Sequence, residues 1–186
     1  MGILRKIYAF LIDTVQTLLL VFAVFLVIYQ FLFRPFQVSG SSMYPTFYDK
    51  QYILTNIITL RFSKPKQGDV IVFKAPPDPE KDYIKRVIGV PGDTVMIKNG
   101  DVFVNGKLLD QSTYLKPAVK TYGGSFLHEN EPVTVPVDSY FVMGDNRAGS
   151  SDSREWKFVP DESVIGKSLF VYWPLNKMEI IKNPYN

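Results

Sequence analysis

The sequence predicts a mainly β protein in which one N-terminal transmembrane helix precedes an antiparallel β-barrel or sandwich. Three observations predict this fold: an uncharged apolar segment at 14–33, several short β-branched runs after it, and Asn-Gly pairs between some of those runs. The chain has 186 residues and 46% apolar residues, which suffices for one ordinary domain and an additional segment.

The first predicted element is the membrane helix. No charged residue occurs from Thr14 to Phe33, and about twenty helical residues at about 1.5 Å each span the roughly 30 Å hydrocarbon layer. A cleaved signal peptide is the alternative, but its apolar region is usually about 7 to 15 residues and ends at a small-residue site. We expect a retained anchor at 14–33 and a cytoplasmic tail at 1–13, because long C-terminal domains translocate largely regardless of charge.

The following elements are short strands. Asn99-Gly100 and Asn105-Gly106 each separate two β-prone runs, which predicts a β-meander. The predicted strands comprise 70–73, 95–98, 101–104, 107–109, 141–143 and 168–173. Residues 111–136 are polar and weakly patterned, so we expect a small excursion, at about 106–140, within one extracytoplasmic domain at 34–186.

The composition excludes several classes of function. The net charge of +3 is spread over 21 basic and 18 acidic residues without a basic run, so a nucleic-acid partner is not expected. The chain has no cysteine and a single histidine, so neither a thiolate nucleophile nor a metal site of the usual ligands is expected. We predict no cofactor.

The stretch VSGSSMYPT, residues 38–46, offers three serines in four positions directly after the anchor. A serine hydroxyl is a weak nucleophile until a base removes its proton. His128 is one candidate base, but it lies in the weakly patterned region, and a surface-loop position is the better interpretation for it.

A lysine is the other candidate base, provided that burial disfavours its charge. In DYIKRVIGV, residues 82–90, the period of two places Tyr83, Lys85 and Val87 on one face and Arg86 on the other. Arginine does not release its proton in proteins, so only Lys85 could act as a base. The competing interpretation is an edge strand whose two cations reach solvent through their long stems.

The stretch MGDNRAGSSDSR, residues 143–154, packs turn-forming residues and opposite charges into one loop after a predicted strand. Asp145 and Asp152 each precede an arginine by two residues, namely Arg147 and Arg154. Structural ion pairs are therefore a better interpretation than an aspartic catalytic pair.

Four motifs follow the predicted membrane helix in the order VSGSSMYPT, KQGDVIVF, DYIKRVIGV and MGDNRAGSSDSR. In this order they closely resemble the bacterial type I signal peptidases, in particular the compact single-anchor members common in Gram-positive bacteria. The resemblance implies the β fold shared by signal peptidases and self-cleaving repressor proteases. It also implies a catalytic domain on the extracytoplasmic side of the cytoplasmic membrane, and a serine endopeptidase that cuts exported preproteins after a small-x-small site.

The resemblance implies a role for individual residues. Ser42 matches the nucleophile, Lys85 the general base and Ser150 the serine that orients the lysine. Asp145, Arg147, Asp152 and Arg154 match residues that support the site. Some members have an oxyanion-binding serine where this chain has Gly40, so the oxyanion hole is expected to use the Ser42 backbone N–H and a backbone group near Gly40. Met43 and Tyr44 are the candidates for lining the substrate pockets.

Two other functions remain open from the sequence. A self-cleaving repressor of the same fold would need a DNA-binding helical domain where this chain has the apolar helix. A membrane-anchored β domain that only binds signal peptides, or another partner, would not need Ser42, Lys85 and Ser150, which are all present.

Overall fold

The computed structural model describes residues 2–185 and shows a long helix followed by two antiparallel β-sheets. The elements are α1 (Gly2–Leu32), β1 (Phe33–Gln37), β2 (Tyr52–Asn56), β3 (Val70–Ala75), β4 (Asp78–Gly89), β5 (Thr94–Lys98), β6 (Asp101–Val104), β7 (Lys107–Leu108), β8 (Val133–Thr134), β9 (Ser139–Met143), α2 (Ser153–Trp156), β10 (Val159–Pro160), β11 (Val164–Trp173) and β12 (Glu179–Ile180). The mainly β fold with an N-terminal apolar helix is confirmed.

Helix α1 is longer than the predicted anchor. Its part from Gly2 to Val27 is long and apolar enough to cross a membrane, with a mean hydropathy of 2.3, and none of it is buried against the protein. The tail expected at 1–13 is helical from Gly2 onward, and Phe33, assigned to the anchor, is the first residue of β1. The first strand therefore begins directly where the helix ends.

The larger sheet has the strand order β1-β2-β11-β3-β4-β9-β10, and β12 pairs with β11. Strand β3 pairs along β4 from Val70 with Arg86 to Ala75 with Asp78. Strand β9 pairs with β4 only from Arg86 to Gly89. Within residues 2–185, the part of β4 before Arg86 thus has a strand neighbour on one side only, and Lys85 is the last residue of that open edge.

The smaller sheet has the order β7-β6-β5-β8 and contains the predicted meander. Both Asn-Gly pairs turn as predicted, because Asn99, Gly100, Asn105 and Gly106 all have positive φ, as a two-residue hairpin turn of this type requires. Strand β8 lies within the region predicted as an excursion and pairs with β5.

Two apolar clusters of the core fix the positions of the serine-containing stretch and of β3. Met43 and Phe47 of the serine-containing stretch pack with Ile53, Val70 and Val171 in one cluster. Ile71 and Phe73 face a second cluster, so both faces of β3 are buried. A strand buried on both faces is expected to read as a continuous apolar run, as residues 70–73 do.

Candidate active site

The predicted nucleophile lies in a loop that is closed at its base. The Val38 N–H donates to the Gln51 carbonyl oxygen and the Lys50 N–H donates to the Val38 carbonyl oxygen, both at 2.8 Å. Gly40 has φ of +88°, a conformation that glycine adopts without steric cost, and its N–H donates to Asp49 Oδ1 at 2.8 Å. These bonds close the turn that presents the serines.

Ser42 and Lys85 are in hydrogen-bond contact. Lys85 Nζ lies 2.8 Å from Ser42 Oγ and 3.1 Å from the Ile84 carbonyl oxygen. The amine also lies 5.2 Å from the ring centroid of Tyr83, in agreement with the predicted shared face. Lys85 is 4% exposed and Arg86 is 2% exposed, so the interpretation in which both cations reach solvent is wrong.

The environment of Lys85 favours the neutral amine. Burial lowers the pKa of Lys85 from 10.5 to about 8, while the negative charges of Asp152 and Asp145 oppose the shift. With a pKa of about 8, about one tenth of the lysine is neutral at pH 7 and about half at pH 8. The amine can therefore accept a proton from Ser42 near neutral pH.

The loop after β9 holds Ser42 in place. The Asn146 N–H donates to the Ser42 carbonyl oxygen at 3.0 Å, and Asn146 Nδ2 donates to the Ser41 carbonyl oxygen at 3.1 Å. A Cβ at Gly144 would collide with Ser150 Oγ and with the Ser42 carbonyl oxygen. Only glycine allows the two loops to approach this closely.

Only one of the two predicted ion pairs forms between neighbours in the sequence. Asp152 receives hydrogen bonds from Arg154 Nε at 2.8 Å and NH2 at 2.9 Å. Asp145 pairs instead with Arg86, whose Nε and NH2 donate at 2.9 and 2.7 Å. Arg147 donates to the Gly144 carbonyl oxygen and to Thr121 Oγ1. The local pairing expected between Asp145 and Arg147 is therefore wrong, because the strand beside the loop supplies a buried cation.

Ser150 is buried near Ser42. Its hydroxyl has no hydrogen-bond partner among residues 2–185, and Lys85 Nζ donates to other groups. Ser150 Oγ and the Ser42 carbonyl oxygen lie on the same side of Gly144. The structure thus places Ser150 near Ser42 without the direct bond to Lys85 that the resemblance implies.

Two backbone N–H groups of the serine turn, those of Gly40 and Ser42, are the expected donors to an oxyanion. The Gly40 N–H is engaged by Asp49, whereas the Ser42 N–H has no acceptor within the described part of the chain. Of these two groups, the Ser42 N–H is the one free to bind an oxyanion.

A cavity of about 420 Å³ opens at Ser42 and Lys85, between β1 and the open edge of β4. Its lining residues comprise Phe36, Gln37, Val38, Ser39, Ser42, Ile53, Val72, Asp82, Tyr83, Ile84, Lys85 and Ser151. Met43 and Tyr44 are not among them: Met43 is buried in the core, and Tyr44 is exposed with its ring against Tyr48. Four of the lining residues are aliphatic, and these lie in the same cavity as Ser42: Val38, Ile53, Val72 and Ile84.

Several residues of the site had no role assigned from the sequence. Arg86, Thr46, Asn146 and Asp49 all connect elements around Ser42. For Arg86 a signal was present, since a cation within an apolar strand needs a buried carboxylate. The other three lie in loops, where the sequence indicates a turn but not its partner.

His128 is exposed, as its surface-loop interpretation predicted. Among residues 2–185, no group of three His, Asp or Glu side chains is arranged to hold a metal ion.

Comparison with known proteins gives consistent matches. The family described as "Signal peptidase, peptidase S26" matches residues 11–173. A signal peptidase I of Bacillus amyloliquefaciens is 36% identical over 175 residues, which cover 92% of this chain and 92% of the relative. A signal peptidase IB of Staphylococcus aureus is 33% identical over 187 residues, covering 95% and 96%. A crystal structure of a signal peptidase I from Enterococcus faecalis aligns with 56% of this chain and 97% of its own, with 30% identity and a TM-score of 0.44.

Proposed function

The chain belongs to the signal peptidase family, peptidase S26, and we propose that this signal peptidase I acts through a Ser42–Lys85 dyad. The contact of 2.8 Å between a buried lysine amine and a serine hydroxyl carries this proposal. The enzyme removes signal peptides from exported preproteins, and its dyad requires no cofactor or metal.

The first half of the reaction forms an acyl-enzyme. Neutral Lys85 Nζ takes the Ser42 hydroxyl proton as Oγ attacks the scissile carbonyl carbon. The Ser42 N–H stabilises the resulting oxyanion, and Gly40 shapes the turn that orients it. The Lys85 ammonium then protonates the leaving nitrogen, the C–N bond breaks, and the signal peptide remains as an ester on Ser42.

The second half regenerates the enzyme. A water molecule gives a proton to Lys85 Nζ and attacks the ester carbon, the bond from that carbon to Ser42 Oγ breaks, and the proton returns to Oγ. Ser150 is buried near Ser42. It is proposed to orient Lys85 when the amine turns away from Ser42 Oγ. Asp145, Arg147, Asp152 and Arg154 are proposed to support the geometry of the site.

The open edge of β4 is the proposed binding surface for the substrate. An extended peptide can add to an unpaired strand, with backbone hydrogen bonds supplying affinity and side-chain pockets supplying specificity. The segment 82–85 of β4 and the segment 36–39 flank the cavity. Small side chains of the cleavage site would enter between aliphatic walls formed by Val38, Ile53 and Ile84.

The proposed location is the cytoplasmic membrane. A tail at 1–13 on the cytoplasmic side, an anchor from residue 14 to the end of α1 and an extracytoplasmic domain from β1 onward would hold the site beside the bilayer, where signal peptides emerge. The apolar helix and the beginning of β1 at its end support this arrangement. Preproteins and the lipid bilayer are the proposed partners, without nucleic acid.

Cleavage of a purified preprotein with an Ala-x-Ala site, in detergent, tests the proposal. The protein and Ser42→Ala are compared, and the new amino terminus is identified by mass spectrometry. We expect cleavage after the small-residue site by the unmodified protein alone. If the preprotein binds to both proteins and neither cleaves it, the chain is a binding module and the dyad is inactive.

A further inference from the structure

Arg86 is held on one side by Asp145 and on another by an aromatic ring. Its NH1 donates to the Gly68 carbonyl oxygen at 2.9 Å, and its guanidinium carbon lies 4.1 Å from the ring centroid of Tyr114. A cavity of about 780 Å³, which Thr46 also lines, lies beside Arg86 and Tyr114. The ring of Tyr114 thus supports the guanidinium through a cation–π contact at the wall of this cavity.

Residues 183–185 connect the loop before β3 to the loop that carries Tyr114. Asn183 Nδ2 donates to the Gln67 carbonyl oxygen at 2.8 Å and to Asp69 Oδ1 at 2.9 Å. The Tyr185 hydroxyl donates to the Asp110 carbonyl oxygen at 2.8 Å and lies 3.3 Å from the Tyr114 hydroxyl. Since the Tyr185 proton is used at Asp110, Tyr114 is the donor to Tyr185.

The packing around Gly68 shows how closely this segment approaches. A Cβ at Gly68 would meet the side chains of Asn183 and Tyr185. Gly68 is also the residue whose carbonyl oxygen accepts from Arg86. The segment 183–185 thus contacts both the acceptor and the aromatic ring that hold the guanidinium.

We propose that Tyr114, Tyr185 and Asn183 form a clamp that positions Arg86 and, through Asp145, the catalytic serine. Tyr114 contacts Arg86, and Arg86 binds Asp145 through two hydrogen bonds. This inference rests on the proposed Ser42–Lys85 dyad, since it concerns how that dyad is held. The three residues are positioning residues and do not touch the reacting atoms.

The connection from Asp145 to the nucleophile is short. Asp145 Oδ2 accepts from Thr46 Oγ1 at 2.5 Å, and Thr46 lies in the same loop as Ser42. The next residue, Asn146, donates its N–H to the Ser42 carbonyl oxygen. A displacement of Arg86 is therefore passed to the Ser42 loop at two points.

The clamp also has an electrostatic consequence at the base. Lys85 faces Ser42 on the serine turn, Tyr83 on its own strand, and the charges of Asp145 and Asp152 on the loop after β9. Arg154 neutralises Asp152 independently of the clamp, whereas Arg86 neutralises Asp145. If Arg86 moves away, Asp145 acts more strongly on Lys85 and raises its pKa.

The test compares Tyr114→Leu, Tyr114→Phe and Tyr185→Phe, with Tyr122→Phe as the matched control from an exposed position of the same region. For Tyr114→Leu we expect kcat to fall about three- to thirtyfold, the range that loss of a cation–π contact allows between an exposed and a desolvated position, with KM within about twofold. The acid limb of its pH–rate profile should also move to higher pH. Tyr114→Phe keeps the ring and should retain most of kcat. The kcat of Tyr185→Phe should lie between those of Tyr114→Leu and Tyr114→Phe. The kcat of the control Tyr122→Phe should equal that of the unmodified protein.

If the clamp has no positioning role, its loss should change neither kcat nor the pH midpoint. If folded Tyr114→Leu has the kcat and the pH midpoint of the unmodified protein, the proposal is overturned. It is also overturned if active-site titration shows that the fall in kcat of Tyr114→Leu is entirely due to inactive protein, because the active molecules would then work at the normal rate. Should Tyr114→Leu fail to fold, unchanged kcat and pH midpoint in Tyr185→Phe overturn it equally. Ser42→Ala in the same assay separates these outcomes from a failure of the proposed dyad.

Discussion

The buried position of Lys85 predicts how the rate depends on pH. Only the neutral amine can accept the Ser42 proton, and burial lowers its pKa from 10.5 to about 8. Activity should therefore be present above about pH 8 and lost as the pH falls through that value. The opposite slope would be expected of a carboxylic acid acting as a proton donor.

The size of the effect follows from the pKa. The neutral fraction of Lys85 is about 1% at pH 6, about 9% at pH 7, about half at pH 8 and about nine tenths at pH 9. Below the midpoint, kcat/KM should rise about tenfold per pH unit, and about ninetyfold between pH 6 and pH 9. The assay is cleavage, in detergent, of a peptide that carries an Ala-x-Ala site and no group titrating in this range.

Two results would show that Lys85 is not the general base. One is a kcat/KM that stays flat from pH 6 to pH 9 in protein that remains folded throughout. The other is retained cleavage in Lys85→Arg at any pH, because arginine keeps its proton in proteins. Circular dichroism at each pH gives the folded fraction, so that acid unfolding is not mistaken for titration of the base.

Three further changes have defined outcomes. Gly144→Ala places a methyl group against the Ser42 carbonyl oxygen, so kcat/KM should fall about tenfold or more; an unchanged value would show that the loops separate freely. Asp145→Asn leaves the Arg86 charge buried without its carboxylate, which should lower the free energy of unfolding by about 3–5 kcal/mol, and an unchanged melting temperature would contradict this. Lys85→Met removes a buried amine whose charge is disfavoured by about 3 kcal/mol, so the variant should be more stable below about pH 8. That difference should shrink as the pH rises from about 8 to about 10.5, because the folded protein binds fewer protons than the unfolded chain in this window, and a constant difference would contradict the lowered pKa.

The strands with strong local signals were predictable from the sequence. The Asn-Gly turns fix a hairpin register by backbone conformation alone, and β3 reads as a continuous apolar run because both of its faces are buried. Strand β1 was not predicted, since it continues directly from the apolar helix and contains Arg34 and Pro35. Its position at the edge of the sheet explains why it tolerates a proline.

The chemistry of Lys85 was only partly predictable. The period of two correctly separated Lys85 from Arg86, but it could not decide whether either was buried. Their burial depends on loops 40–60 residues away in the sequence, where Ser42 and Asp145 meet β4. The partner of Asp145 was mispredicted for the same reason, since local spacing favoured Arg147 and the fold supplied Arg86.

The clamp left no signal in the sequence. Tyr114 lies in a weakly patterned region, and Tyr185 lies after the last predicted strand. Their contact joins residues 71 positions apart through one pair of hydroxyl groups. Such a contact is specified by tertiary packing, which local periodicity does not report.

Ser42 and Lys85 are proposed to act as one unit, and a double-mutant comparison can show whether they do. Cleavage of the Ala-x-Ala preprotein is measured for Ser42→Ala, Lys85→Met and the double variant, each verified as folded. When residues act as a unit, removing both costs no more than removing one. We predict that all three variants show the same residual rate, and a Lys85→Met variant that cleaves substantially faster than Ser42→Ala would contradict the dyad.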